Sequence, residues 1–419
     1  MDFKKRFQEI AEFLQPYQRI WQNEIMLLYP HPLNDFPQDW VEELAQFKKQ
    51  EDVIRLEKKE VFSYIKSPSL IAFYRRLEEL AEVPKIQDLP PFPENKFLFL
   101  HMIPKKQHEI KRLAPFVNAF YQDHQIDKIV DIGGGIGHLA QSLANHYQLN
   151  TTSLDMDPVL QQTGMERQPN NRVEYIQVKV DVANEQFNRV LSKNSMTLGL
   201  HTCGPLANHQ IKASCANQIK GLISFGCCYE KLQQNPASQN ISQAAKNLRV
   251  PIIFSYYALT LATRAHRKMH EKDYELKLKV KFFRYAIHLL LHDEYEMQGL
   301  TSLGNSSPKL YDESFGTYVI EQFRRINLPL KHTKDQLDAY YAVSERQDLI
   351  WKMLTAGLIR NAFGRVMELY ILLDRVLYLE EHGYKVQLLE FFDEPVSPRN
   401  LGIVASTGFS NKFVGSKPS

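Results

Sequence analysis

The order of apolar and polar positions divides the chain into two kinds of text. Up to about residue 88, apolar residues return every three to four positions, the spacing of one helix face. Phe3, Phe7, Ile10, Phe13 and Leu14 do so, and then Val53, Leu56, Val61, Tyr64 and Ile65. DLPPFPENKF (88–97) interrupts this pattern with prolines, which predicts a connection between units. Residues 105–124 again predict an amphipathic helix. After it, short apolar or β-branched runs alternate with helical stretches: KIVDI (128–132), TTSLD (151–155), VEYIQVKV (173–180), TLGLH (197–201) and GLISFG (221–226). Runs about 20 residues apart leave room for one helix between strands, which predicts a parallel sheet flanked by helices. Residues 235–350 carry helical pattern without strand rhythm. A helix with Val366, Leu369, Leu372, Leu373, Val376 and Leu379 on one side follows, and then two strand-like runs, 386–392 and 401–406.

The expected architecture is therefore α/β: a doubly wound, seven-stranded sheet whose last strand is antiparallel. The expected divisions are a helical N-terminal region (1–100), the first part of the core (101–234), a mostly helical insertion (235–350), the last helix and strand pair of the core (351–407) and a flexible tail (408–419).

Composition adds exclusions. The 419 residues are 44% hydrophobic and 24% charged, as in ordinary globular proteins. The net charge of +3, from 51 basic and 48 acidic residues, does not describe a chain that coats a polyanion. Four cysteines cannot form a disulfide scaffold, so a reducing compartment, the cytoplasm, is expected. No apolar run reaches the ~18 residues a membrane span needs, so no membrane association is expected. The opening MDFKKRFQEIAEFL mixes acidic residues into its first turns, unlike a signal or transit peptide.

The densest chemical text is Asp131-Ile-Gly133-Gly134-Gly135-Ile-Gly137-His138, between a predicted strand and a predicted helix. Glycines there let backbone approach a ligand and turn sharply into the helix. Asp155 ends the next strand, 18 residues beyond Gly137, where an acid can hold ribose hydroxyls. The ligand is a dinucleotide or S-adenosylmethionine. The dinucleotide fingerprint spaces its glycines G-x-G-x-x-G, whereas Gly133, Gly135 and Gly137 are spaced G-x-G-x-G. Asp131 would repel a pyrophosphate and suits the cationic end of S-adenosylmethionine. Asp181, expected to close the third strand, could accept from the adenine amino group.

In open α/β sheets chemistry gathers beyond the carboxyl ends of strands. The fourth and fifth strands end in Leu200-His201-Thr202-Cys203-Gly204-Pro205 and Phe225-Gly226-Cys227-Cys228-Tyr229-Glu230-Lys231. His201 is a candidate proton acceptor or a hydrogen-bonded structural histidine. Tyr229 and Lys231 are candidates for positioning substrate. Cys203, Cys227 and Cys228 offer metal ligands, but no C-x-x-C pair is present, so no metal is expected; small thiols filling crowded strand ends is the plainer reading. Between Arg264 and Arg284, eight basic residues stand against three acidic ones, with Tyr274, Phe282, Phe283 and Tyr285 interleaved. This is either a segment that meets phosphates and stacks bases or a solvated basic face.

Taken together, PKKQHEI (104–110), VDIGGGIGHLA (130–140), GLHTCGPLA (199–207), FGCCYEKL (225–232), ELYILLDRVLYLEE (368–381) and SPRNLGIVA (397–405) resemble the methyltransferase-like protein 25 family. That family includes relatives named as ribosomal RNA adenine dimethylase domain-containing proteins. The resemblance implies a Rossmann-like, S-adenosylmethionine-dependent methyltransferase. It places the cofactor at Asp131, Gly133, Gly135 and Asp155, to which the loop reading adds Gly137 and Asp181. It also marks Lys106 and His108, taken as cofactor residues, and His201, Cys203 and Tyr229, taken as catalytic. Cys227, Cys228, Arg399 and Asn400 are further family-type positions. One departure is Pro205, where the family usually carries an aspartate. The Asn/Asp-Pro-Pro-aromatic sequence of base N-methylases is also missing after the fourth strand. The expected acceptor is RNA, ahead of protein or a small molecule. The alternative is a catalytically silent methyltransferase fold that binds RNA or a protein partner.

Overall fold

Seven strands form one sheet, in the order β3-β2-β1-β4-β5-β7-β6. The computed structural model describes residues 2–47, 53–55, 64–90, 92–93, 99–100, 102–167, 172–264, 271–299, 301, 303 and 306–408. Leu56, Val61, Arg267, Lys268 and the tail from Asn411 lie outside them. The strands are β1 (Lys128–Ile132), β2 (Thr151–Asp155), β3 (Val173–Gln177), β4 (Ser195–Cys203), β5 (Gly221–Cys227), β6 (Lys385–Glu390) and β7 (Leu401–Ser406). The first five pair in parallel, and β7 runs antiparallel to β5 and β6. This is the expected Rossmann-like α/β fold. The β1 and β4 strands are neighbours although two strands separate them in sequence. Their junction is the point where chain direction across the sheet reverses, and ligands of open α/β sheets bind there.

The parallel strands need apolar side chains on both faces because helices cover both. On one face Ile129, Met196, Leu198, Ile223 and Phe225 pack with Ile110, Leu113, Phe116, Val117 and Phe120 of the helix Pro104–Asp123. On the other, Val130, Ile132 and Leu154 pack with Phe187, Ala213 and Ile219. The β6 edge is covered by one further pairing: Ile86 N–H donates to Glu390 O at 3.0 Å, and Glu390 N–H to Pro84 O at 2.8 Å. Pairing blunts an edge that would otherwise invite another chain.

Two of the differences from the sequence ranges bear on the site. The third stops at Gln177 rather than Val180. It is an edge strand with one neighbour, and after Val178 N–H bonds to Asp155 O at 3.0 Å the chain leaves the sheet. Asp181 therefore sits in a loop, not at a strand end. The fourth strand runs on to Cys203, with a shift in register between Gly199 and Thr202. Such a shift re-aims side chains, and His201 within it has φ 69°.

The residues group into two compact units. One comprises Met1–Gln15, Leu80–Arg267 and Arg365–Ser419 and holds the whole sheet; the other comprises Pro16–Glu79 and Lys268–Gly364. These bounds cut across the sequence divisions at 100, 235 and 350. In the sheet unit the first helix, Phe3–Leu14, stacks Phe7 on Tyr370 with ring centroids 4.7 Å apart. The second unit is helical. Trp40, Phe73 and Phe363 form one aromatic cluster there, and Phe283, Phe315, Tyr318 and Tyr341 another. Tyr274, Phe283 and Tyr285 of the basic stretch are buried, so they are packing residues rather than a stacking surface, and Lys279 pairs with Asp312 at 2.8 Å.

Candidate functional site

At the end of β1 the backbone turns through Gly133, Gly135 and Gly137, with φ of 67°, 59° and 78°. Side chains rarely adopt these values, so the glycines are demanded by the turn itself. Gly134 has a different reason: a Cβ there would lie 2.3 Å from Ser153 Oγ and 2.9 Å from Asp131 Oδ2. Gly137 caps the helix His138–Tyr147. Three polar side chains that the sequence reading missed brace this loop. Tyr175 donates its hydroxyl to Ile136 O at 3.1 Å and accepts from Gln141 Nε2 at 2.7 Å; Gln161 Nε2 donates to Gly135 O at 2.9 Å. Their spacing carried no signal, because each is defined only by what it meets across the fold.

Asp155, at the end of β2, accepts from Gly135 N–H at 2.9 Å through Oδ2 and from Asp157 N–H at 3.0 Å through Oδ1. It is half-buried, and each oxygen keeps a lone pair for a further donor. Asp131 is 3% exposed, with Oδ2 2.9 Å from where Gly134 would carry a Cβ. Burial pushes it up to about 7; Lys106 opposes that rise and Asp155 adds to it. Burial lowers the Lys106 ammonium, while Glu109 and Asp131 pull it back up. Asp131 and Lys106 thus attract each other electrostatically. His108 is not part of this pair: its Nε2 accepts from Asp393 N–H at 3.2 Å. Asp181 is held by its own turn, accepting from Ala183 N–H at 3.1 Å and lying 3.4 Å from His209 Nδ1.

Across the switch point, His201 Nε2 lies 2.9 and 3.0 Å from the two carboxylate oxygens of Glu109, on the helix Pro104–Asp123. Glu109 also accepts from Ser397 Oγ at 2.7 Å. Burial favours its neutral form, but the His201 hydrogen bond and charge, Ser397 and Lys105 outweigh that and hold the carboxyl at about 2. A carboxylate so held orients the imidazole by accepting a hydrogen bond from Nε2, and in the neutral ring the other nitrogen, Nδ1, is then an acceptor. The His201 side chain is 25% exposed. Glu109 and Ser397 were not on the list of expected site residues. Both stand inside quoted motifs, but only the fold brings residues 109, 201 and 397 together.

Tyr229 does not stand where a substrate could meet it. Its side chain is wholly buried, its hydroxyl donates to Glu368 Oε1 at 3.1 Å, and burial raises it well above an ordinary phenol. Glu368 also binds Arg365 at 2.8 Å and Arg399 at 3.6 Å, and Arg365 reaches Asn400 Oδ1 at 2.9 Å. The structure therefore makes Tyr229, Arg399 and Asn400 parts of one buried network that ties the loop before β7 to the end of β5. Pro205 occupies the first turn of the helix Pro205–Ala216, after Gly204 with φ 53°. Proline suits that position, where its missing N–H has no helical partner. Cys203 Sγ lies 3.1 Å from Cys227 Sγ and 3.4 Å from Cys228 Sγ.

Residues 105–235, which carry the glycine turn, Asp155, His201 and all three thiols, match a family model described as a methyltransferase domain. Over these residues the chain is similar to methyltransferase domains. It is similar to probable methyltransferase-like protein 25 from Homo sapiens, 23% identical over 226 residues, which are 51% of this chain and 37% of that protein. The Mus musculus protein of the same name is 23% identical over 229 residues, with the same coverage. The chain thus matches well under half the length of these relatives. Among solved structures, coclaurine N-methyltransferase bound to N-methylheliamine and SAH aligns with 85% of this chain and 95% of its own at 11% identity, with a TM-score of 0.24; the fold of this chain is read from its own strand order instead. No helix among the described residues is long and apolar enough to cross a membrane.

Proposed function

We propose that this chain transfers the methyl group of S-adenosylmethionine to an acceptor, with His201, oriented by Glu109, as the proton acceptor. When bound, the cofactor supplies an electrophilic methyl on a sulfonium. The cradle fits it: from Gly133 to Gly137 only Ile136 carries a side chain, and Gly135 is open, with no atom beyond its chain neighbours nearer than 3.8 Å to a Cβ there. A half-buried acid also stands at the end of the neighbouring strand. Asp155 would take ribose hydroxyls. Asp131 and Lys106 would act from beneath, as positioning residues. Close approach in line with the breaking bond is the main demand on the protein in such a transfer, and His201 Nδ1 would receive a proton where the acceptor carries one. The carrying observation is the Glu109–His201 pair at the β1/β4 switch point. Asp155→Ala is expected to weaken cofactor binding by about 1.5–3 kcal/mol, the worth of hydrogen bonds to a charged group, read by calorimetry; unchanged affinity would refute the cradle.

Glu109→Gln is expected to lower kcat on the order of 100-fold with little change in cofactor affinity, because the imidazole loses the carboxylate that fixes its proton. Steady-state methyl transfer at several pH values checks this, and an unaltered kcat would remove His201 from the chemistry.

RNA is the acceptor we favour. Its support is the cationic character of residues 264–284, since the buried aromatics there no longer contribute. Tritium transfer from labelled cofactor to fractionated extract tests the activity and its acceptor together. Label in RNA supports this reading, and label in protein or small molecules overturns the acceptor. The rival reading, a silent module, is motivated by Pro205, which offers no acid or base; tight cofactor binding without any labelled product would establish it.

A further inference from the structure

We propose that Cys203, Cys227 and Cys228 bind one zinc ion through their thiolates, leaving the fourth coordination position to water or an incoming ligand. The three sulfurs lie within 4.8 Å of one another. A tetrahedral zinc with Zn–S bonds of about 2.3 Å sets its sulfurs about 3.8 Å apart, so Cys203 Sγ, now 3.1 and 3.4 Å from the other two, must part from them by about 0.4–0.7 Å to admit the ion. The arrangement is built by the backbone. Successive strand residues point to opposite faces, yet Cys228 at φ 48° and ψ 49° leaves the extended form and returns its sulfur to the side of Cys203. Cys203 is brought level by the β4–β5 pairing, in which it faces Cys227. A thiol is a weak donor and a weak acceptor, so hydrogen bonding among three thiols gives little return for a left-handed cysteine. A bound cation accounts for that conformation.

Cationic groups stand near the cluster, as three thiolates around one divalent ion require, together with one carboxylate, Glu230, whose charge acts on Cys228. Arg375 is 1% exposed; it is electrostatically coupled to Cys227, and its Nη1 has no hydrogen-bond partner among the described residues. That nitrogen stands 2.5 Å from where Gly226 would carry a Cβ, one residue before Cys227. Lys231 interacts with Cys203. His201 is not the fourth ligand through Nε2, which Glu109 holds. A zinc with three protein ligands and an open position is the arrangement of catalytic sites, in which a bound water or thiol loses its proton readily. Binding is balanced by release of the thiol protons: three cysteine thiols and Zn²⁺ give the tris-thiolate complex and three protons to solvent. No C-x-x-C pair exists because the ligands come from two neighbouring strand ends and one adjacent pair of residues. The inference stands on this geometry and not on the methyl-transfer reading.

The test uses the full chain, purified without chelator. Elemental analysis is expected to find about one zinc per chain, with near loss in Cys203→Ser and Cys228→Ser and no change in Cys215→Ser, whose thiol is outside the cluster. Cobalt added to chelator-treated wild-type protein is expected to give thiolate-to-metal charge-transfer absorption, displaced by zinc. This second measurement needs no variant and decides the matter if the serine variants do not fold. Less than about a tenth of an equivalent of zinc with no cobalt band, copper in place of zinc, or a disulfide among the three cysteines would each overturn the assignment.

Discussion

Gly137→Ala is expected to weaken S-adenosylmethionine binding at least about 30-fold, from a distortion costing 2 kcal/mol or more. Two costs combine. At φ 78° an alanine carries about 1–2 kcal/mol of left-handed strain. Its Cβ would also lie 2.5 Å from Tyr175 Oη and 2.9 Å from Cε1 of the same ring, and overpacking of this kind costs about 1–3 kcal/mol. The ring cannot swing aside cheaply, because Gln141 and Ile136 hold its hydroxyl. The turn must then move away from the position in which Gly135 N–H meets Asp155. Calorimetry with the cofactor reads the loss. The double variant Gly137→Ala/Tyr175→Phe is expected to recover part of it, since the shortest contact is with the hydroxyl. Equal affinity in wild type and Gly137→Ala would show that the turn does not form the cofactor cradle.

Glu368→Ala is expected to destabilise the sheet unit by about 3–5 kcal/mol, the range for removing one partner of a buried ion pair. The melting temperature should fall by roughly 5–10 °C. Glu368 is 1% exposed and receives Arg365, Arg399 and the Tyr229 hydroxyl, so its loss leaves guanidinium groups without their carboxylate. Tyr229→Phe separates packing from chemistry. It deletes one hydrogen bond, costing about 1 kcal/mol, and should leave kcat of the folded protein within about twofold. A kcat collapse in Tyr229→Phe without loss of stability would return Tyr229 to the catalytic group. Thermal melts together with initial rates distinguish these outcomes.

The parallel strands were legible because each is a short apolar run, and the helices between them repeat at their own period. The third strand was read too long, since VKV continues the apolar text after the edge strand has lost its pairing. The glycine turn was legible residue by residue, because positive φ is a local demand. Asp131 was identified by its place before the first glycine, but its burial, at 3% exposed, was not legible in the sequence because distant helices produce it. His201 carried two readings, proton acceptor and hydrogen-bonded structural histidine, and the partner that bears on them, Glu109, lies 92 positions away. For Tyr229, sequence position beside two cysteines suggested chemistry, while Glu368, 139 positions on, shows a buried strut.

What the sequence determined by itself was therefore everything set by neighbours along the chain: the alternation of strands and helices, the glycines that a sharp turn requires, and the acid closing β2. These follow from backbone sterics and from periodic burial, which act over a few residues. The tertiary structure alone decided which polar groups share a proton, which acid is sealed from water and which three thiols converge. Those depend on side chains brought together from separate strand ends and helices, and their energies arise from burial and charge at distances that no sequence spacing encodes.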